Sequence, residues 1–336
     1  MARASIIASE VDLEAEGKAV GCLRLLHSSH RSAYGWIPIP VASIRRGDGP
    51  TVLVMAGNHG DEYEGQILVA GLVREVEARM VTGQLILLPM ANFPAAEAGM
   101  RTSPLDGGNL NRSFPGDPAG SPTQAIAHFV ETELVSRADV LIDLHSGGSS
   151  LLYHGANAMT LEPCDEAEHA RMRALMAAFG LPTAFLIAGH PSGATSTAAA
   201  RRQGAFVITT ELGGAGMVAP AILRQADQGL RHLLGHLGVL SGPLVPDRAP
   251  ATPRLMRVDA ATHYVYARDA GLFEPLAELG DVVAAGQPAA RLHFPETPMR
   301  APETVRFEGS GVVVCKRVPA QARRGDCLFH LAADCG

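Results

Sequence analysis

A short apolar run that breaks into a polar, glycine-rich turn and then into a helical pattern constrains this chain most. The apolar run covers residues 51–55, the turn reads Ala-Gly-Asn-His-Gly-Asp-Glu-Tyr-Glu-Gly over 56–65, and helical periodicity continues over 66–80. A buried strand leading directly into a helix is the repeating unit of an α/β sheet, in which ligands bind at the carboxyl ends of strands. The turn therefore places His59 and Glu62 at a binding edge.

Two ligand-type side chains three residues apart on such a turn can converge on one cation. Zinc is the usual metal for histidine and carboxylate donors, and a catalytic zinc site takes a third protein ligand. His145 is the candidate because it ends a second apolar run, over 140–144. These residues predict a His₂Glu site with an open fourth position, holding one Zn²⁺ per chain; cobalt or manganese stays an alternative. Taken alone, His59 and Glu62 fit a helix start with a surface glutamate equally well.

Strand-like and helical patterns alternate along the rest of the chain to about residue 240. Strands are predicted at 21–26, 36–44, 84–89, 140–144, 184–188 and 205–210, and helices from Ser121 and Pro122 onward and over 164–179 and 221–237. Alternation of this kind predicts an α/β fold with a mixed or parallel sheet covered by helices. We expect residues 1–240 to form the catalytic domain, including its β-rich N-terminal segment.

The pattern changes after a proline-rich linker at 241–253. Residues 254–336 read as short strands with glycine turns, and predict a smaller all-β domain. Residues 271–292 are weakly echoed by 311–329, which is typical of the barrel-sandwich of biotinyl and lipoyl carriers. Such carriers need a lysine on the connecting hairpin, and 294–308 has none, which argues against a carrier role.

Charge, hydropathy and cysteine usage exclude several classes of function. The net charge of −6, without a basic tract, predicts no nucleic-acid partner. No apolar run approaches the ~18 residues of a membrane span, and residues 1–17 are too charged for a signal peptide. The five cysteines show no paired spacing, which favours a reducing compartment. We expect a cytoplasmic protein acting on a small molecule, and homo-oligomerisation stays open.

Further polar residues lie at positions from which they could act in catalysis or bind the substrate. Glu211 ends the apolar run 207–210 at the same predicted sheet edge, and a carboxylate beside a metal is a fit general base, although a structural glutamate is the alternative. Arg101, with Asn111 and Arg112, lies on a polar loop, where arginines can bind a carboxylate or an oxyanion or can be merely solvated. Asp143 shares a strand face with His145 and could orient that imidazole, or could simply bond to the backbone.

These motifs together resemble the aspartoacylase/succinylglutamate desuccinylase family, which is related to the zinc carboxypeptidases. The resemblance spans about residues 45–330 and rests on Gly57-x-His59-x-x-Glu62, Asn111-Arg112-x-Phe-Pro-Gly, Asp143-Leu-His145 and Glu211-Leu-Gly-Gly. It implies a zinc-carboxypeptidase-like mixed sheet flanked by helices, with a C-terminal β domain. Two departures are Asn109, where the family commonly has aspartate, and a longer gap between Arg101 and Asn111 than in aspartoacylase.

The resemblance also implies a role for each residue of the site. His59, Glu62 and His145 correspond to the zinc ligands. Glu211 corresponds to the residue that activates water and later protonates the leaving amine. Arg101 corresponds to the arginine that polarises the carbonyl, and the pair Asn111 and Arg112 to the residues that hold the substrate α-carboxylate.

Residues 109–116 and 143–151 resemble most the branch of this family that serves ectoine degradation. Those enzymes deacetylate Nα-acetyl-L-2,4-diaminobutyrate to acetate and L-2,4-diaminobutyrate. Alternatives are a succinylglutamate desuccinylase, an aspartoacylase, a carboxypeptidase-like enzyme, and a non-enzymatic protein that binds a metal or small molecule.

A cationic substrate side chain raises two further expectations. Arg201 would suit an anionic substrate, so a diaminobutyrate enzyme predicts that it points away from the site. No acidic partner for the ammonium group can be identified from the sequence. Tyr264 and Tyr266 are favoured as core or surface residues rather than as residues of the site.

Overall fold

The computed structural model describes residues 5–162, 165–187, 193–259 and 261–335. The α-helices in these ranges are α1 Tyr63–Glu75, α2 Phe93–Ala98, α3 Pro122–Phe129, α4 Glu166–Phe179, α5 Ser196–Gln203 and α6 Pro220–His236. The strands are β1 Ile7–Ser9, β2 Gly17–Leu26, β3 Trp36–Arg46, β4 Thr51–Ala56, β5 Gly83–Leu88, β6 Val140–Leu144, β7 Leu151–Leu161, β8 Thr183–Ile187, β9 Phe206–Gly214, β10 Arg254–Val258, β11 Tyr264–Tyr266, β12 Gly271–Pro275, β13 Val282–Val283, β14 Pro288–His293, β15 Glu303–Arg306, β16 Gly311–Arg317, β17 Gln321–Ala322 and β18 Cys327–Asp334. None of the helices in these ranges has both the length and the apolar character that crossing a bilayer requires.

One fourteen-stranded mixed sheet organises the molecule. Its order is β1-β2-β3-β5-β4-β6-β9-β7-β8-β10-β18-β16-β13, with β11 paired to β18. Strands β5, β4, β6 and β9 run parallel to one another, and β7 is antiparallel to β9. Because parallel strands end at the same edge, the segments following β4 and β6 meet beside the end of β9. The predicted mixed sheet with helices is confirmed.

Strand β4 shows why the central strands read as continuous apolar runs. Val52 and Val54 face the core cluster formed with α1, α4 and α6. Leu53 and Met55 face a second cluster, formed with α3 and α5. A strand covered on both faces needs apolar residues at every position, so alternation disappears. This double burial holds the turn after β4 at a fixed place on the sheet edge.

Helix boundaries differ from the sequence pattern at two places. The pattern over 66–80 predicts one helix, but α1 ends at Glu75 and a separate 3₁₀ turn covers Ala78–Met80. Ser121 is the N-cap of α3, as predicted, yet its side chain makes no cap bond. Asp106 accepts the hydrogen bond from the Thr123 N–H instead. The predicted helix over 164–179 is observed from Glu166, and Cys164 lies outside the described residues.

Strand β7 is absent from the sequence prediction. It contains His154, Gly155 and Asn157, and its pairing with β9 shifts register between Leu152 and Ala156. A bulged strand with central polar residues has no two-residue alternation to detect. The strand matters for function because it joins β9, β8 and β16.

The C-terminal strands continue the large sheet. β10 pairs with β8 on one side and with β18 on the other, while β15, β14, β12 and β17 form a separate four-stranded sheet. The predicted all-β C-terminal region is confirmed. Residues 241–253 contain no helix or strand, and the division into domains at this linker stays a prediction. Since β16 pairs directly with β7, and β7 with β9, the C-terminal strands lie close to the strand that contains Glu211.

Candidate active site

A cavity of about 570 Å³ opens where β4, β6 and β9 end. The seven residues to which the family resemblance gives a role all line it, namely His59, Glu62, Arg101, Asn111, Arg112, His145 and Glu211. His59 and Glu62 come from the turn between β4 and α1, His145 directly follows β6, and Glu211 lies on β9. The structure therefore brings together four segments that are far apart in sequence. A cavity of this size is typical of small-molecule sites.

His59, Glu62 and His145 form a compact buried cluster. The Oε1 atom of Glu62 lies 2.7 Å from Nδ1 of His59, and its Oε2 atom lies 2.8 Å from Nδ1 of His145. One ligand atom from each residue falls within 4.8 Å of the other two. Ligand atoms about 2.0–2.2 Å from one zinc ion lie roughly 3.3–3.6 Å apart in a tetrahedral site, so a separation of up to 4.8 Å needs only a small approach of these side chains to the metal. Two imidazoles and one carboxylate are also a zinc donor set, so the residues present fit the metal.

The outer nitrogens of both imidazoles are held by other side chains. Nε2 of His145 lies 2.9 Å from Oδ2 of Asp143, and Nε2 of His59 lies 3.2 Å from Oδ1 of Asn109. A proton on each Nε2 satisfies these contacts and leaves the Nδ1 lone pairs directed at the common point. Ligating histidines are oriented in this way in metal sites.

Asp143 has its own support. Besides the contact with His145, its Oδ2 atom accepts hydrogen bonds from Ser196 Oγ at 2.6 Å and Asn58 Nδ2 at 3.0 Å. The sequence left open whether Asp143 orients His145 or bonds to the backbone. The hydrogen bonds found for Asp143 in the described chain are all to side chains, which favours the orienting role.

The electrostatics of the cluster suit a cation. Burial alone would raise the pKa of Glu62, but His59 and His145 hold it well below its usual range. Burial opposes protonation of His145, yet Asp143 and Glu62 raise its pKa well above the ordinary value. Two buried carboxylates thus stabilise positive charge at this point, as the binding of a divalent cation requires.

Glu211 has the properties of a group that exchanges protons. Burial raises the pKa of its carboxyl well above the usual range, and the nearby Glu62 adds to the effect. Its backbone carbonyl accepts a hydrogen bond from Asn157 Nδ2 at 3.1 Å, and the next amide, of Leu212, donates to the carbonyl of His145 at 3.0 Å. The position of Glu211 is therefore tied to the strand that carries His145. A carboxylate with raised proton affinity is a stronger base than an ordinary glutamate.

Two arginines make one wall of the cavity cationic. Arg101 lies 3.3 Å from Glu62 Oε1 through Nη1 and has 45% of its side chain exposed. Burial lowers the pKa of Arg112, and repulsion from Arg101 lowers it further. Asn111 is positioned by the Ser196 N–H, which donates to its Oδ1 atom at 2.9 Å. The pair of guanidinium groups is suited to bind a carboxylate or a developing oxyanion.

Asp106, which the sequence interpretation did not single out, holds the loop that carries these residues. Its carboxylate accepts hydrogen bonds from the backbone N–H groups of Gly108 and Thr123 and from the Thr123 hydroxyl, all between 2.8 and 2.9 Å. These bonds tie the segment before Asn109 to the start of α3. An aspartate followed two residues later by glycine is a turn signal, but its partner at Thr123 could not be read from the sequence.

Other lining residues also escaped the sequence interpretation. Tyr264 lines the cavity together with Tyr153 and His330, so the preference for a core or surface role is wrong for Tyr264. Tyr266 is half-exposed and is not among the lining residues. Arg201 is exposed on α5 and is not among these lining residues, but it lines a small adjacent cavity that shares Thr160, Leu161 and Val207 with this one. The expectation that it points away from the site stays a prediction.

The model of the succinylglutamate desuccinylase/aspartoacylase catalytic domain matches residues 48–237, more than half of the chain. The chain belongs to this family. The match covers all the segments that carry the residues His59, Glu62, Arg101, Asn111, Arg112, His145 and Glu211.

Relatives within the family match nearly the whole chain. The N-alpha-acetyl-L-2,4-diaminobutyric acid deacetylase of Halomonas elongata is 42% identical over 334 residues, which covers 98% of this chain and 96% of that protein. The product-bound structure of the ectoine utilization protein EutE (DoeB) from Ruegeria pomeroyi has a TM-score of 0.90 at 35% identity, covering 98% of this chain and 100% of that one. A succinylglutamatedesuccinylase/aspartoacylase from Rhodobacter sphaeroides has a TM-score of 0.89 at 36% identity, with the same coverage.

These matches confirm three predictions made from the sequence. The family and the resemblance to its ectoine-degradation branch are as expected. So is the architecture, a mixed sheet with helices and a C-terminal all-β region. The chain is an enzyme, an amidohydrolase of this family.

Proposed function

We propose that this enzyme hydrolyses the N-acyl amide bond of a small N-acyl amino acid with one zinc ion held by His59, Glu62 and His145. The specific reaction that we propose is the conversion of Nα-acetyl-L-2,4-diaminobutyrate to acetate and L-2,4-diaminobutyrate. The observation that carries the proposal is the cluster of three ligand atoms within 4.8 Å of one another, in a cavity also lined by Glu211 and Arg101.

A zinc ion in this site would supply Lewis-acid chemistry, which polarises the amide carbonyl and makes water more acidic. The protein's part is to present three ligands of fixed orientation. Glu62 and the two imidazoles are less than 7% exposed. Asp143 and Asn109 hold the outer nitrogens of those imidazoles. Buried and pre-oriented donors lose little freedom when they bind.

Glu211 is proposed as the proton carrier of the reaction. It takes a proton from the water whose oxygen attacks the acyl carbon, and it delivers a proton to the leaving nitrogen when the C–N bond breaks. In the overall reaction, water adds a hydroxyl to the acyl group and a hydrogen to the amine. The raised pKa of Glu211 supports the first half of this role, because a carboxylate with higher proton affinity is a stronger base.

The arginines and Asn111 are proposed to orient the substrate. Arg101, which lies beside Glu62 Oε1, faces the acyl oxygen and helps to stabilise its developing charge. Asn111 and Arg112 bind the α-carboxylate of the amino acid, and so fix which enantiomer presents its acyl group to the metal. Fixed orientation of this kind can account for several kcal/mol of the barrier.

The choice of a diaminobutyrate substrate rests on two further points. The deacetylase of Halomonas elongata, which is 42% identical, is named for this substrate. The arginines that line the cavity in the described chain are Arg101 and Arg112. Because these two are assigned to the acyl oxygen and the α-carboxylate, neither is left for the side-chain carboxylate of an aspartyl or glutamyl substrate. We also propose that the enzyme acts in the cytoplasm on a free small molecule, without nucleic-acid or membrane partners.

A substrate panel tests this proposal. The purified enzyme, loaded with zinc, is assayed on Nα-acetyl-L-2,4-diaminobutyrate, N-acetyl-L-aspartate, N-succinyl-L-glutamate and a dipeptide. We expect kcat/KM to be highest for the first, with release of acetate and of one free amine per turnover. Faster turnover of either anionic substrate would overturn the diaminobutyrate assignment, and no turnover of any would overturn the proposed function.

A further inference from the structure

A buried histidine of the C-terminal region lines the catalytic cavity without a hydrogen-bond partner. His330 lies in the middle of β18 and is only 3% exposed. Neither of its ring nitrogens finds a hydrogen-bond partner in the part of the chain that the structure describes. Buried polar groups are normally paired, and leaving one unpaired costs stability. An unpaired imidazole facing a cavity therefore indicates a ligand that supplies the missing bond.

Aromatic rings hold His330 in place. Its ring stacks on Tyr264 with centroids 4.4 Å apart and planes at 8°, and it meets Tyr153 edge-on at 6.1 Å. The β11–β18 register places Tyr264 directly opposite His330. Packing on both sides of this kind fixes the ring without using its nitrogens.

The surroundings also keep the imidazole neutral. Burial lowers the pKa of His330 to about 3, and the neighbouring His263 contributes to the effect. A neutral imidazole has one nitrogen that accepts a hydrogen bond and one that donates. At neutral pH, His330 is therefore an acceptor for a cationic group and presents no positive charge to an anionic one.

The cavity has one wall that carries arginines and another that is aromatic. Among the lining residues, the arginines are Arg101 and Arg112 on the loop before α3. Around His330 the lining is aromatic, with Tyr153 and Tyr264 beside it. Burial raises the pKa of Tyr264 to about 12, and Cys327, Tyr266 and Glu211 add to the effect. A substrate cation at this wall would meet the unpaired imidazole of His330 and the two tyrosines that pack against it.

We propose that His330, stacked on Tyr264, receives the side-chain ammonium group of the substrate and so sets the preference for a cationic amino acid. This inference rests on the proposed function and supplies the partner for the ammonium group that the sequence did not reveal. His330 is a specificity-determining residue, and it takes no part in proton transfer at the amide.

The experiment compares two substrates that differ in one group. Nα-acetyl-L-2-aminobutyrate has a hydrogen where Nα-acetyl-L-2,4-diaminobutyrate has its ammonium group. We expect kcat/KM of the wild type to favour the diaminobutyrate by about 10- to 100-fold, the range for a hydrogen bond to a charged group. His330→Phe keeps an aromatic ring against Tyr264 but removes the acceptor. We expect it to lose most of this preference while hydrolysing acetyl-aminobutyrate within about threefold of the wild type.

His293→Gln is the matched control, because His293 lies in the same C-terminal region, pairs with Glu274 and is not among the cavity-lining residues. It should leave the preference unchanged. A His330→Phe variant that folds and keeps the wild-type preference would overturn the inference. A wild type that hydrolyses both substrates equally would overturn it as well. A wild type that hydrolyses neither would instead refute the proposed function.

A second measurement covers the case in which the phenylalanine variant does not fold. In the wild type, labelled with ¹⁵N at histidine, the ring-nitrogen resonance of His330 should move when L-2,4-diaminobutyrate is added and stay in place with L-2-aminobutyrate. An equal response to both amino acids, or to neither, contradicts the proposal.

Discussion

Replacing Asp143 by asparagine tests how the site holds its metal. Asp143 is completely buried, and its Oδ2 atom lies 2.9 Å from His145 Nε2 and accepts hydrogen bonds from Ser196 and Asn58. The Asp143→Asn change keeps the shape and one acceptor oxygen but removes the negative charge. A hydrogen bond to a charged group contributes about 1.5–3 kcal/mol, against about 0.5–1.5 kcal/mol between neutral groups. The difference of about 1–1.5 kcal/mol corresponds to roughly tenfold in affinity.

We therefore expect the zinc dissociation constant of Asp143→Asn to rise about tenfold, at the lower end of the roughly 10- to 100-fold range for changes to residues behind metal ligands. The assay is competition with a chromophoric chelator at fixed pH, with circular dichroism to confirm the fold. Asn109 offers the matched control, because its neutral Oδ1 atom holds the other imidazole at 3.2 Å. Asn109→Asp should tighten zinc binding, since it adds the charge that Asp143 already supplies to His145.

Two results would refute this reasoning. An Asp143→Asn protein that is folded and binds zinc as tightly as the wild type would show that the charge behind His145 does not matter. Weaker binding by Asn109→Asp would show that the outer nitrogens do not act as inferred.

Three further predictions follow from the same contacts. Glu211→Gln should lower kcat by about 10²–10⁴ with the zinc content unchanged, because only the proton carrier is lost; near-wild-type turnover would exclude this role. Zinc removal by a chelator should lower the melting temperature of the wild type, because a ligand that binds only the folded state stabilises that state. The same treatment should barely change the melting temperature of His145→Ala. Equal shifts in both proteins would show that the metal binds at another site. Burial opposes ionisation of Asp106, but bonds from Thr123, Ser121 and Gly108 lower its pKa. Its folded pKa lies below the unfolded one, so the stability it contributes is complete above about pH 4 and lost as the pH falls through the folded pKa. The difference in free energy of unfolding between wild type and Asp106→Asn, measured in urea, should shrink accordingly; a constant difference would contradict this.

The parts of the site that the sequence revealed are those carried by central strands. Strands β4 and β6 are buried on both faces and read as apolar runs, so the polar residues that follow them stand out. His59, Glu62 and His145 could be found for this reason. Glu211 follows the same rule, because β9 is buried along most of its length before it.

The parts that escaped depend on pairings between distant segments. His330 is a single polar residue within the apolar part of β18, and the pairing of β11 with β18 brings it against Tyr264. Strand β7 escaped because a bulge interrupts its alternation. Asp106 meets Thr123 across 17 positions. Local patterns carry no information on which strands become neighbours in the sheet, so contacts of this kind need the folded structure.

The central claim is that one metal ion, held by His59, Glu62 and His145, is required for amide hydrolysis. The most direct measurement is a zinc titration of the metal-stripped enzyme, with the rate of Nα-acetyl-L-2,4-diaminobutyrate hydrolysis recorded at each addition. We predict a rate near zero without metal that rises linearly and levels off at one equivalent of zinc per chain. Full activity of the metal-stripped enzyme, or a break at two equivalents, would contradict the account.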